Sequence, residues 1–125
     1  MKFSYIIRGS VFRVYNTLGP GLLESGYEAA LKYELEKSEL YVQNQVALTM
    51  VYENIRVDVG CRLDLVLERK VIIELKSTEM ILNVHHKQLL TYLKLSGIKL
   101  GLLVNFKTDN IANSIYREAY GLRDY

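Results

Sequence analysis

The chain has 125 residues, 50% hydrophobic and 24% charged, with eight glycines and one proline, the profile of one soluble globular domain spanning 1–125. A domain of that size buries a sufficient core without disulfides or a structural metal, and its lone cysteine, Cys61, excludes both an internal disulfide and a thiolate zinc cluster. The net charge of +2 does not by itself announce a polyanion partner; residues 61–107 hold eight Lys or Arg against four acids, a local excess that an ordinary solvated surface also explains.

In chain order, the apolar run after Met1-Lys2-Phe3 is interrupted by Arg8 and Arg13, which excludes a secretion signal or a membrane span. With the unpaired cysteine, this points to the cytoplasm. Phe3, Ile6, Ile7, Val11, Val14 and Leu18 recur at helical spacing until Gly19-Pro20-Gly21 breaks the run. A second helix is expected to start there, with Pro20 in its first turn and Leu23, Tyr27, Ala30, Leu31 and Leu35 as its apolar face. From Tyr41 to Ser77 the period shifts toward two and the residues become β-branched, predicting strands near 42–52, 57–67 and 71–77. Asn83 is suited to cap a helix that runs to about Ser96, where Gly97 stops it. Ile98 to Phe106 reads as a buried strand, parallel to 71–77 because a helix joins them, and Asn110 to Tyr120 as a closing helix. The result is a mixed α/β domain.

Glu74 and Lys76 interrupt the otherwise apolar strand Val71-Ile72-Ile73-Glu74-Leu75-Lys76, and alternation puts both on one face with Ile72. A buried charge there needs a partner, a metal or water. Asp64 is likewise an acid among aliphatics. If Glu68-Arg69-Lys70 form a three-residue hairpin loop, Leu67 pairs with Val71 and Asp64 falls opposite Glu74; a two-residue loop turns Asp64 to the other face. The loop lacks the glycine that usually marks the first arrangement.

Two converging carboxylates repel each other, and a hard divalent cation such as Mg²⁺ relieves that repulsion. Lys76 can then orient water or neutralise charge developing on a phosphoryl group. The ordinary alternative is a salt bridge between one of these acids and Lys76 on a half-solvated face. Glu24 stands in the first turn of the second helix, able to point toward the sheet or simply to complement the helix dipole. His85, Gln88 and Tyr92 form one polar stripe at i, i+3 and i+7 on the later helix, suited to hydrogen-bond a phosphate, although a lone histidine such as His85 is commonly a capping or surface group.

Gly21-x-x-Glu24-x-x-Tyr27, then Asp64, then Glu74-Leu-Lys76, then Gln88-x-x-x-Tyr92 resemble the PD-(D/E)XK nuclease superfamily, specifically its small bacterial GxxExxY family, and the Gln-x-x-x-Tyr element is similar to the RecB-like and lambda-exonuclease-like branch. The resemblance implies a restriction-endonuclease-like αβββαβ core with a mixed sheet, an extra N-terminal helix and a C-terminal helix. It implies that Glu24, Asp64 and Glu74 hold one or two Mg²⁺ or Mn²⁺ ions, with the Leu75 carbonyl as an extra ligand. Lys76 would assist the attacking water, while Gln88 and Tyr92 position phosphate or the metal's surroundings; His85 and Tyr27 are further substrate contacts. Two departures stand out: Leu63 where the superfamily name has Pro, and Arg69 where related turns often have Gly.

The function so implied is metal-assisted phosphodiester hydrolysis, on DNA before RNA. A sequence-reading domain has no room within 125 residues, and selectivity would need a partner or a homo-oligomer. The alternatives are an inactive nuclease-fold module that binds nucleic acid or a partner protein, and a hydrolase of small phosphorylated molecules. The ten tyrosines fit helix faces and half-buried positions, and exposed ones equally suit a homo-oligomeric interface.

Overall fold

The two runs richest in aliphatic residues lie side by side within a five-stranded sheet in the computed structural model, which describes residues 2–121. In chain order the elements are α1 (Lys2–Leu18), α2 (Glu24–Lys37), β1 (Val42–Tyr52), β2 (Ile55–Leu67), β3 (Val71–Lys76), α3 (Asn83–Ser96), β4 (Leu100–Asn105), a 3₁₀ turn (Ile111–Asn113) and β5 (Ile115–Ala119). The sheet runs β1-β2-β3-β4-β5, with β3 and β4 parallel and the other neighbours antiparallel. From α2 to β4 this is the expected αβββαβ succession of an α/β fold, with α3 as the crossover between the parallel strands.

Both faces of the sheet are covered. Ile7 and Val11 of α1 and Tyr27, Leu31 and Leu35 of α2 pack with Leu65, Ile73, Leu75 and Val104. On the opposite face, Leu89 and Leu93 of α3 pack with Leu63, Val66, Ile72 and Leu103. Gly101 sets how closely α3 approaches β4, since a Cβ there would stand 2.9 Å from Leu89 Cδ1. Gly97, at φ +77°, ends α3 as its position in the sequence suggests.

The Asp64 register follows from the hairpin. Leu67 pairs with Val71, so Glu68-Arg69-Lys70 form a three-residue loop, and Glu68 and Arg69 adopt φ +52° and +56° without a glycine. Left-handed conformations cost such residues about 1–2 kcal/mol each. The neighbouring Tyr41 offsets this: its N–H donates to Glu68 Oε2, its carbonyl accepts from the Glu68 N–H, and its ring lies under the Arg69 guanidinium.

Three expectations are corrected. The segment 110–120 is a 3₁₀ turn and a strand, not a closing C-terminal helix: β4 is buried at all six positions, and β5 pairs its remaining edge from Val104↔Ile115 to Leu100↔Ala119. The spacing of Ile111, Ile115 and Ala119 reads as helical, but satisfying a buried strand edge outweighs local periodicity. The second helix begins at Glu24, with Pro20 in the connector before it. Asn83 is the first residue of α3 and not its cap; Leu82 holds the cap position, and its N–H donates to Nδ1 of His85 at 2.9 Å.

Candidate active site

β2 and β3 part company at one point, and the acids sit in the gap. Their ladder runs from Leu67↔Val71 to Leu65↔Ile73 and stops. At the next position each strand's free N–H is taken by a carboxylate from the other: Asp64 N–H donates to Glu74 Oε2 at 2.8 Å, and Leu75 N–H donates to Asp64 Oδ2 at 2.9 Å. The two carboxylates thus replace ladder hydrogen bonds and are held together by backbone geometry, which a surface ion pair could not achieve.

Burial raises both protonation equilibria, and the neighbouring Asp64 charge adds to it at Glu74. Burial, then the Asp64 charge, pushes the Glu74 carboxyl from 4.5 up to about 8, against the Asp64 N–H and the Lys76 ammonium, which favour the ionised form. Burial likewise raises Asp64, opposed by the Leu75 N–H and Lys76, with Glu28 and Glu24 adding repulsion. Lys76 therefore acts electrostatically on both acids, as its place two residues beyond Glu74 leads one to expect.

Glu24 does not join them directly. Its Oε2 accepts the Ser77 N–H at 3.0 Å, and Ser77 Oγ donates to the Leu22 carbonyl at 2.9 Å, tying the start of α2 to the end of β3. Asn105, buried at the end of β4, holds the following turn through Thr78 N–H and Thr78 carbonyl. Tyr92 is buried on α3, and burial, then Cys61 and the Glu74 charge, push its hydroxyl up to about 12. Gln88 lies exposed one turn earlier on that helix.

Two residues proposed as substrate contacts have other engagements. Tyr27 is fully buried, stacks on Phe106 with centroids 4.2 Å apart, donates to the Gly19 carbonyl and accepts the Leu22 N–H. It shapes the connector before Glu24 and offers no surface to a substrate. His85 uses Nδ1 on the Leu82 N–H.

The structure adds two polar residues that the sequence reading passed over. Glu28 follows Glu24 by four positions, a spacing that puts both on one helix face and could have exposed it. Gln45 of β1 carries no such signal; its Nε2 donates to Glu28 Oε1 at 2.5 Å and lies 3.5 Å from Asp64 Oδ1.

The donor set suits a hard divalent ion. Asp64 and Glu74 each commit one oxygen to a backbone N–H and leave the other free of backbone bonds, and burial raises both pKa values, so a bound cation would favour the ionised forms that burial disfavours. Among the described residues no group of three or more His, Cys, Asp or Glu side chains forms a ready-made metal cage. The expected meeting of three acids is thus reduced to two, which fits an ion that keeps several waters, as Mg²⁺ does, better than one needing full protein coordination.

A family model described as the PD-(D/E)XK nuclease superfamily matches residues 1–118. No curated protein and no solved structure gives a match. No helix among the described residues is long and apolar enough to cross a membrane.

Proposed function

The chain belongs to the PD-(D/E)XK nuclease superfamily, and on that premise we propose that it is a metal-dependent nuclease that hydrolyses phosphodiesters, in DNA before RNA. The observation that carries the reading is the fork where Asp64 and Glu74 cap each other's strands with Lys76 alongside. A divalent ion, Mg²⁺ or Mn²⁺, supplies Lewis-acid polarisation and acidifies water there, as the superfamily's general metal dependence leads one to expect.

Asp64 and Glu74 would hold the ion, with the Leu75 carbonyl and Glu24 as the further groups that could serve it. Lys76 orients the attacking water and neutralises charge that builds on phosphorus. Tyr92 and Gln88 position the phosphate from α3. Gly21, Glu24 and Tyr27, with Gln88 and Tyr92, support placement in the GxxExxY family on the RecB-like branch. We place the protein in the cytoplasm and read residues 1–125 as one domain, in which sequence-specific cleavage would require a partner or a second copy to supply the reading surface.

Incubation of supercoiled, linear and single-stranded DNA with the purified protein tests this: nicking or degradation with Mn²⁺ or Mg²⁺, lost in Glu74→Ala and Lys76→Ala with the fold intact by circular dichroism. Inactivity on all three substrates overturns it. The second reading, a non-catalytic nucleic-acid-binding module, draws on the absence of a three-acid cage among the described residues. It requires that calorimetry show no Mn²⁺ uptake while DNA binding weakens steeply with salt.

A further inference from the structure

Gln45 stands at φ +51° in the middle of β1, a left-handed conformation rare for a residue other than glycine. Its neighbours Asn44 and Val46 pair with Leu65 and Leu63, so Gln45 lies across from Asp64. At this pair both strands change sides. Val42 before it packs in the α1 and α2 cluster, whereas Val46 and Leu48 after it pack in the α3 cluster. On β2, Leu65 and Leu67 belong to the first cluster, whereas Cys61 and Leu63 belong to the second. Uninterrupted alternation would keep residues two apart on one face; the reversal at Gln45 and Asp64 instead brings the Asp64 carboxylate toward α2 and Glu28.

The Gln45 side chain is exposed, so packing does not repay its backbone conformation. What the side chain does is connect two acids: one amide nitrogen carries two hydrogens, and it lies 2.5 Å from Glu28 Oε1 and 3.5 Å from Asp64 Oδ1. The Leu75 N–H already holds Asp64 Oδ2. A donor on Oδ1 sets the remaining freedom of the carboxylate, its rotation about the terminal bond, and separates two negative groups that would otherwise face each other.

We propose that Gln45 and Glu28 are positioning residues for Asp64, Glu28 anchoring the Gln45 amide and the amide orienting Asp64 Oδ1 toward a bound divalent cation. The inference rests on the reading of Asp64 as a metal ligand. It makes the left-handed residue in β1 part of the site and extends the acidic region along α2 from Glu24 to Glu28. Outer partners of this kind typically change metal affinity by about 10–100-fold when removed.

The test uses the full chain and Mn²⁺ titrated by calorimetry, with thermal unfolding measured beside it. Gln45→Gly keeps the backbone conformation and removes the amide; the expected result is Mn²⁺ affinity at least about tenfold weaker with the unfolding temperature unchanged or higher. Glu28→Gln retains an oxygen that can accept from Gln45, and Glu28→Ala does not, although both remove the same charge. Affinity is therefore expected to fall further in Glu28→Ala than in Glu28→Gln. Equal loss in these two variants, or wild-type affinity in Gln45→Gly while Asp64→Asn binds weakly, overturns the positioning role and leaves the metal site standing. Wild-type affinity in Asp64→Asn overturns the metal reading itself, and this inference with it.

Discussion

The β1–β2 hairpin has two halves that behave differently. In the inner half, Val42 to Asn44 pair with Leu65 to Leu67 between helices on one face and β3 on the other edge, and Leu65 and Leu67 are wholly buried. In the outer half the register shifts between Ala47 and Thr49, and Val51, Tyr52 and Ile55 are 65%, 63% and 63% exposed around the turn. Burial on both sides fixes the first; in the second, Leu48 and Leu63 still pack against α3, and beyond them ladder hydrogen bonds and a two-residue turn hold the strands. The Gln45–Asp64 pair lies on the boundary. There a carboxylate is dry enough to resist ionisation and still near enough to solvent for a substrate to reach, a combination that neither half offers alone.

The largest expected effect of breaking that boundary is on catalysis. Glu74→Gln keeps an acceptor for the Asp64 N–H but removes the charge, so the rate of DNA nicking in Mg²⁺ should fall by about 10²–10⁴-fold while the fold persists. In the inner half, Leu65→Ala should cost about 2–5 kcal/mol in urea unfolding, because a wholly buried leucine leaves a cavity that flanking strands cannot close.

A pH series sharpens the comparison. Glu74 holds its proton up to about 8 in the folded metal-free protein, whereas the unfolded chain releases it near 4.5. Stability from this group is complete below about pH 4.5 and is lost as the pH rises toward 8, and Asp64, also raised, contributes in the same direction. Urea unfolding of the metal-free protein should thus show falling stability across that window. Saturating Mg²⁺ should flatten the decline, since the ion takes the proton's place, and Glu74→Gln should flatten it without metal. The smallest effect belongs to the outer half: Ile55→Ser should change unfolding free energy by no more than about 0.5 kcal/mol, because that side chain has little contact to lose.

Much of this molecule is visible in its residue order. Helical spacing marked the first helix, β-branched runs marked β1 to β3, Gly97 marked the end of α3, and strand-helix-strand order required the parallel β3–β4 pair. Aliphatic surroundings singled out Asp64, Glu74 and Lys76 because a charge among such neighbours needs compensation. These are local properties: periodicity, turn chemistry and the cost of burying a charge act within a few residues of one another.

Folding in three dimensions settled the rest. Whether Asp64 faced Glu74 depended on a glycine-free loop held by contacts with Tyr41, distant in sequence, and by the Lys70 N–H on the Leu67 carbonyl. The last strand arose because β4 had an edge to satisfy, against a spacing that read as helical. Tyr27 became a core residue, Glu24 a tether for Ser77, and Gln45 a link between Glu28 and Asp64, each through a partner distant in sequence. Local pattern specifies which face of an element is apolar; which polar groups end up sharing a hydrogen bond is decided by how the elements pack.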